Sequence, residues 1–359
     1  MTTSPVLILA GGTGGHVFPA LAVAEVLAER GVPVVWFGTR RGLESRVVPA
    51  AGFALEYLPV RGLRGRRWLD AVTAPFMLVR AVVAAVAGVR RHRPRAVLGM
   101  GGYVSGPGAL AARLLRVPLL IHEQNAVPGM TNRWLARLAT RVLTGFDGPF
   151  PGAPQAQFVG NPVRRAIGRI PEPGQRWAGR EGPLRLLVVG GSLGARALNE
   201  RIPAALGRLP EGSRPAVRHQ AGERTIETAR QAYRAAAVDA DVSVFIDDMT
   251  EAYAWADLVV CRAGALTVAE LAAAGVPALF VPFPYAVDDH QTRNAAYLVD
   301  AGGAELIQEH ELDTDSLAAI LERLLGNRAG LLAMAERARA KGRPDAVDAV
   351  VANCLEVAS

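Results

Sequence analysis

Cysteine is nearly absent. Of 359 residues only Cys261 and Cys354 carry thiols, far apart in the chain. Two such residues build neither a disulfide framework nor a cysteine-rich metal site, which points to a reducing compartment. Aromatic residues make up only 6% of the chain. That is thin for the stacking surface of a nucleic-acid binder, although the net charge of +7 would otherwise suit one. Lysine occurs once, at Lys341, so almost all the basic charge is arginine. No apolar run reaches the roughly 18 residues that a bilayer-spanning helix needs. The start, Met1-Thr2-Thr3-Ser4, lacks a basic region. The apolar run after it, about six residues long, is expected to be a buried strand and not a secretory signal.

What is present is apolar and divided. Half the residues are hydrophobic and 20% are charged, as in a globular chain, and the length suits two domains. Residues 1–160 hold 18 arginines and 7 acidic residues, whereas residues 161–359 carry a small excess of acid. One half is therefore fitted to an anionic surface. Strands are expected at Pro5 to Ala10, Val34 to Phe37, Ala96 to Met100, Val117 to Ile121 and Arg141 to Thr144. A second series is expected at Leu184 to Val189, Val242 to Ile246, Leu258 to Cys261 and Ala278 to Val281. A helix is expected over Phe18 to Arg30, stopped by Gly31. Gly160 to Gly182, with several Pro and Gly residues, reads as the linker. The fold class is α/β: two Rossmann-like, doubly wound domains facing a cleft, over 1–162 and 163–340. A terminal helix within 341–359 could pack back on the first domain.

Each half opens with a strand, a glycine-rich turn and a helix: Gly11-Gly12-Thr13-Gly14-Gly15, then Gly190-Gly191-Ser192-Leu193-Gly194. Free N–H groups at such a helix start favour an anion, though tight packing alone also asks for glycine. The dinucleotide fingerprint fails at its third glycine, where Val17 stands, and the second strand ends on Gly38-Thr39-Arg40-Arg41 without an acid, although these arginines could still accept the 2′-phosphate of NADP. Cys261 to Glu270 runs from strand through a small-residue turn into a helix. Its start could hold a diphosphate, and Glu270 could accept from ribose hydroxyls or simply complement the helix dipole. His16 could act as a base or cap its turn. His122-Glu123-Gln124-Asn125 follows the strand Val117 to Ile121 at its C-terminal end, the edge of a parallel sheet that holds ligands.

Arg61 to Arg95 holds nine arginines and one acid, Asp70. Arg64, Arg66, Arg67, Trp68, Leu69, Phe76 and Met77 suit a surface that dips into anionic headgroups. Residues 81–89 by themselves fit an ordinary amphipathic helix.

GGTGGHVFPALAVAE (11–25), MGGYVSGPG (100–108), HEQNAVPGMTN (122–132), VGNPVR (159–164), GGSLGARALN (190–199), FIDDM (245–249), CRAGALTVAE (261–270) and His290-Gln291 occur in this order along the whole chain. In this the sequence resembles the MurG family. The resemblance implies two domains of the GT-B glycosyltransferase type. It implies inverting transfer of N-acetylglucosamine from UDP-GlcNAc to the 4-hydroxyl of an undecaprenyl-pyrophosphate-linked muramyl-pentapeptide, turning lipid I into lipid II.

It places Thr13, Gly14, Gly15, Asn125, Arg164, Ser192, Ile246, Ala265, Leu266, Thr267, Val268, Ala269, Glu270 and Gln291 around the sugar nucleotide. Tyr103 and Asn132 fall on the acceptor side, and His16, His122 and Glu123 are the candidates for the base. Ala269 stands where the family carries Ser, and His290 where it carries Gln. UDP-GlcNAc enters as co-substrate, and neither cofactor nor metal is expected. Asp239-x-Asp241 resembles the two-acid metal signature of another glycosyltransferase class but precedes its strand. Expected partners are lipid I, the anionic inner membrane at its cytoplasmic face, and other cell-wall synthesis proteins, with no nucleic acid. A UDP-GlcNAc 2-epimerase of the same architecture and a basic nucleic-acid binder are the rival readings.

Overall fold

A computed structural model describes residues 4–60, 68–153, 155–191 and 194–358, and the backbone alone over 68–74. Arg64, Arg66, Arg67 and Ser192 lie outside the described residues, as do the side chains of Trp68 and Leu69. The chain forms two compact units, one of Met1–Arg164 with Asp345–Ser359 and one of Arg165–Pro344.

The first unit is built on β1 (Val6–Ala10), β2 (Val34–Gly38), β3 (Ala54–Tyr57), β4 (Ala96–Gly101), β5 (Leu119–Glu123), β6 (Arg141–Thr144) and β7 (Ala156–Phe158). Their spatial order is β3-β2-β1-β4-β5-β6-β7, and every pair is parallel. β1 is buried along its whole length because both faces are covered, hence its unbroken apolar sequence. Val6, Ile8 and Ala10 pack under the helix Gly14–Glu29 and the terminal helix Ala346–Glu356. Leu7 and Leu9 pack under three helices on the other face, Trp68–His92, Ser105–Leu114 and Met130–Leu135. Arg30 pairs with Asp348 at 2.6 Å and Arg141 with Glu356 at 2.7 Å, fixing the terminal helix to this unit.

The second unit repeats the plan with β8 (Arg185–Val189), β9 (Ala216–Gln220), β10 (Asp241–Ser243), β11 (Leu258–Cys261), β12 (Ala278–Phe280) and β13 (Ala304–Leu306). Their order is β10-β9-β8-β11-β12-β13, again all parallel.

Several expectations shift. Four strands were not read from the sequence: β3, β7 and β13 are short strands at sheet edges, and β9, although paired on both sides, sets Arg218, His219 and Gln220 after only two apolar residues. β10 ends at Ser243, and Val244 and Phe245 beyond it are exposed, so the apolar run to Ile246 is not one strand. The supposed linker is largely structured. Arg165–Gly168 and Pro173–Trp177 are short helices whose Ile167 and Trp177 are buried in the second unit. Arg176 donates to the carbonyls of Ala274 and Gly275 at 2.8 and 2.7 Å, tying this stretch to the end of the helix Ala265–Ala274.

Candidate functional site

In the first unit the C-terminal ends of β1, β4 and β5 carry the polar residues. Thr13 stands at the N-cap of Gly14–Glu29, so His16 lies in the first helical turn, just after the glycine-rich turn. Its ring packs on Gly101, where a Cβ would come within 2.6 Å of Cδ2. Gly101 and Gly102 both adopt positive φ, 102° and 84°. At Gly102 a Cβ would also overlap the Gly11 carbonyl. Both positions therefore require glycine. Ser105 donates to the Leu9 carbonyl at 3.2 Å and accepts from Gly101 N–H at 3.1 Å, bracing the two strand ends. Burial lowers the His16 pKa, against the negative charge of Glu123, the backbone of Gly11 and the charge of Glu44. The imidazole is thus neutral near pH 7 and able to accept a proton.

Glu44 is fully buried and was not singled out from the sequence. Its carboxylate accepts from Gly12 N–H at 2.9 Å and from Thr39 N–H at 2.8 Å. It thereby braces the glycine-rich turn against the end of β2. No motif marks it, because the acid lies beyond the strand end where a ribose-binding acid is sought.

His122 and Glu123 are buried inside the end of β5 and not exposed after it. His122 Nε2 faces the Gly160 carbonyl at 3.0 Å, so it donates, and burial drops its pKa to about 4. Glu123 accepts from Asn125 N–H at 3.0 Å and Gly129 N–H at 3.0 Å, and from the Asn132 side-chain amide at 2.9 Å. That makes Glu123 the organiser of the 125–132 loop, a geometry that does not suit a mobile base. Asn132 is buried and engaged with Glu123, whereas Tyr103 is 53% exposed. Asn161, also unread from the sequence, donates to the Gln124 carbonyl at 3.0 Å and holds the VGNPVR turn to β5. Arg164, at the end of that turn, is exposed.

In the second unit the helix Ala265–Ala274 follows β11 through Gly264, its N-cap, and ends on Gly275 in the left-handed region, φ 61°. The N–H groups of Ala265, Leu266 and Thr267 have no intrahelical acceptor, which makes an anion site of this turn. Leu266, Thr267 and Ala269 are half-buried, while Val268 is fully buried and offers a ligand no side chain. Two side chains grip the turn from the helix His290–Val299. Gln291 Oε1 accepts from Ala263 N–H at 3.2 Å and from Phe283 N–H at 2.9 Å, and the Asn294 amide donates to the Ala263 carbonyl at 3.2 Å. With its carbonyl so engaged, Gln291 has only its amide N–H groups to offer a ligand. His290 Nδ1 is instead held at the Val287 carbonyl, 2.8 Å. Glu270 is buried and accepts from the Tyr253 hydroxyl at 3.1 Å. Ile246 N–H donates to Gln220 Oε1 at 3.0 Å. Asp239 and Asp241 are exposed at the opposite, N-terminal end of β10. Among the described residues no group of three or more His, Cys, Asp or Glu side chains could hold a metal ion.

Two doubly wound parallel sheets, each opening on a glycine-rich turn, with a helix start of free N–H groups at Gly264, are the architecture of enzymes that handle nucleotide sugars. The N-terminal domain model of glycosyltransferase family 28 matches residues 6–144 and its C-terminal domain model matches residues 185–350. A UDP-N-acetylglucosamine--N-acetylmuramyl-(pentapeptide) pyrophosphoryl-undecaprenol N-acetylglucosamine transferase of Alkalilimnicola ehrlichii is 62% identical over 99% of each chain. The crystal structure of Acinetobacter baumannii MurG superimposes with a TM-score of 0.86 at 42% identity, covering 98% of this chain and 99% of that one. The chain belongs to this MurG transferase family. A UDP-GlcNAc 2-epimerase of Neisseria meningitidis covers 98% of this chain and 100% of its own with a TM-score of 0.68 but 12% identity, a likeness of fold alone.

Proposed function

We propose that the protein transfers N-acetylglucosamine from UDP-N-acetylglucosamine to the 4-hydroxyl of muramyl-pentapeptide-pyrophosphoryl-undecaprenol. The observation that carries this reading is the second unit's arrangement of an anion-binding helix start at Gly264, Glu270 one turn into the helix, and Gln291 locked as a donor. The helix N–H groups would receive the charge that develops on the departing diphosphate, so no step calls on a metal. The donor is α-linked and the product β-linked, so a single in-line displacement suffices. His16 would take the proton of the acceptor hydroxyl, and the carboxylates of Glu123 and Glu44 would favour the imidazolium that results. The same fold in a 2-epimerase does not support that rival, because identity there is too low to carry activity.

The acceptor's lipid tail stays in the bilayer, so the enzyme must come to the membrane. Among the described residues no helix is long and apolar enough to cross one. The three helices over Leu7 and Leu9 support a peripheral docking face. Phe76, Leu78, Val79, Leu114, Met130 and Trp134 are exposed on them. From residue 75 to 141 the one acid is Glu123, which is buried, so the exposed charges over that span are cationic. The deciding assay is incubation with UDP-GlcNAc and a lipid I analogue, with mass spectrometry of the product. A mass gain of one N-acetylhexosamine on the acceptor is expected, and release of free sugar or epimer without that gain would refute the reading.

A further inference from the structure

We infer that Tyr253 is a positioning residue that aims the Glu270 carboxylate at the ribose, and through it sets a preference for ribonucleotide over 2′-deoxyribonucleotide. This rests on the reading of the second unit as the nucleotide-sugar site.

Tyr253 lies on the helix Met249–Trp255, which Asp248 caps by accepting from Thr250 N–H at 2.9 Å and Glu251 N–H at 3.0 Å. Its side chain is 1% exposed, and its hydroxyl donates to Glu270 Oε2 at 3.1 Å. Glu270 is itself only 8% exposed. A carboxylate at that depth needs donors to stay ionised and in one rotamer. A buried phenol likewise needs an acceptor. The pair answers both needs before any ligand arrives. Glu270 sits on a helix whose start presents N–H groups to a diphosphate, so the two recognition elements share one rigid element. A carboxylate fixed by an internal donor meets the ribose hydroxyls without first losing side-chain freedom. A loose one would meet them at a cost that falls on ribose and deoxyribose ligands unequally, since only the ribose gains both bonds.

Tyr253→Phe keeps the ring in the core and removes only the hydroxyl. The test is calorimetric titration of the full chain with UDP and with 2′-deoxy-UDP, for wild type, Tyr253→Phe and Glu270→Gln. Wild type should prefer UDP by about tenfold or more, as expected for hydrogen bonds to a charged acceptor. In Tyr253→Phe the UDP affinity should fall about fivefold with little change for 2′-deoxy-UDP, so the preference shrinks. A merely structural role would weaken both ligands alike. Because the ratio compares two ligands on one protein, a lowered melting temperature does not blur it. An unchanged ratio in Tyr253→Phe beside a reduced one in Glu270→Gln overturns this assignment alone. If wild type fails to bind UDP, or Glu270→Gln leaves the ratio intact, the nucleotide-site reading itself falls and the assignment with it.

Discussion

The His16 imidazole rests directly on the bare α-carbon of Gly101, whose φ of 102° no side chain adopts readily. A methyl group there would occupy the space of the ring. Gly101→Ala should therefore displace His16 and strain the backbone, with a destabilisation of about 1–3 kcal/mol. Turnover should drop about as far as when His16 itself is removed. Thermal melting and steady-state kinetics check both, and a fully active Gly101→Ala enzyme would show that the ring position is immaterial.

His16→Ala should lower turnover about 100-fold while UDP affinity changes little, the pattern of a lost general base. Intact turnover would place the base elsewhere. Glu123 would be a poor replacement, since its carboxylate holds the 125–132 loop through Asn125, Gly129 and Asn132.

Stability should fall in acid through two buried histidines. Burial drops the pKa of His122 to about 4 and of His219 to about 3, below the unfolded value of 6.5. In His219 the ring is locked neutral. Asn199 donates its amide to the Ala221 and Thr225 carbonyls, so its Oδ1 accepts from His219 Nε2 at 3.0 Å, and Nδ1 is left to accept from the Tyr233 hydroxyl at 3.0 Å. Below pH 6.5 the unfolded chain binds protons that the folded chain refuses. Stability present above that pH is thus lost progressively as pH falls toward the folded values, by about 1.4 kcal/mol per pH unit for each histidine. Urea midpoints measured between pH 6.5 and 4.5 should show this slope, and His219→Gln should reduce it by about one proton. An equal slope in that variant would assign the acid sensitivity to other groups.

Replacing Arg64, Arg66, Arg67 and Trp68 by Ser should abolish sedimentation with anionic liposomes while leaving UDP affinity intact. Added salt should weaken wild-type binding, because the arginine contribution is screened. A Leu114→Ser, Trp134→Ser variant should weaken liposome binding as well if the whole helical layer meets the membrane. Wild-type sedimentation by the first variant would move the docking face away from residues 61–78.

Transfer should continue in excess EDTA if, as proposed, helix N–H groups meet the diphosphate charge. Activity lost to the chelator and restored by Mg²⁺ would contradict that mechanism and redirect attention to Asp239 and Asp241.

Much was legible in the sequence because parallel α/β units repeat a local pattern. The unbroken apolar run Val6–Ala10, the glycine-rich turn after it, and the helix stopped by Gly31 declare one unit, and Arg185–Val189 with Gly190-Gly191 declares the second. The ordered motifs carried the family. What the sequence left undecided were the partners of polar side chains, because hydrogen bonds join residues far apart in the chain. Glu44 meets Gly12 across 32 positions, Gln220 meets Ile246 across 26, and Tyr253 meets Glu270 across 17. Only the tertiary structure showed that His122 and Glu123 are buried, the one bonded to the Gly160 carbonyl and the other to the 125–132 loop. The reason is physical: a carboxylate or imidazole has the same sequence signature in water as in the interior, and its role is set by the donors and acceptors that folding brings within about 3 Å.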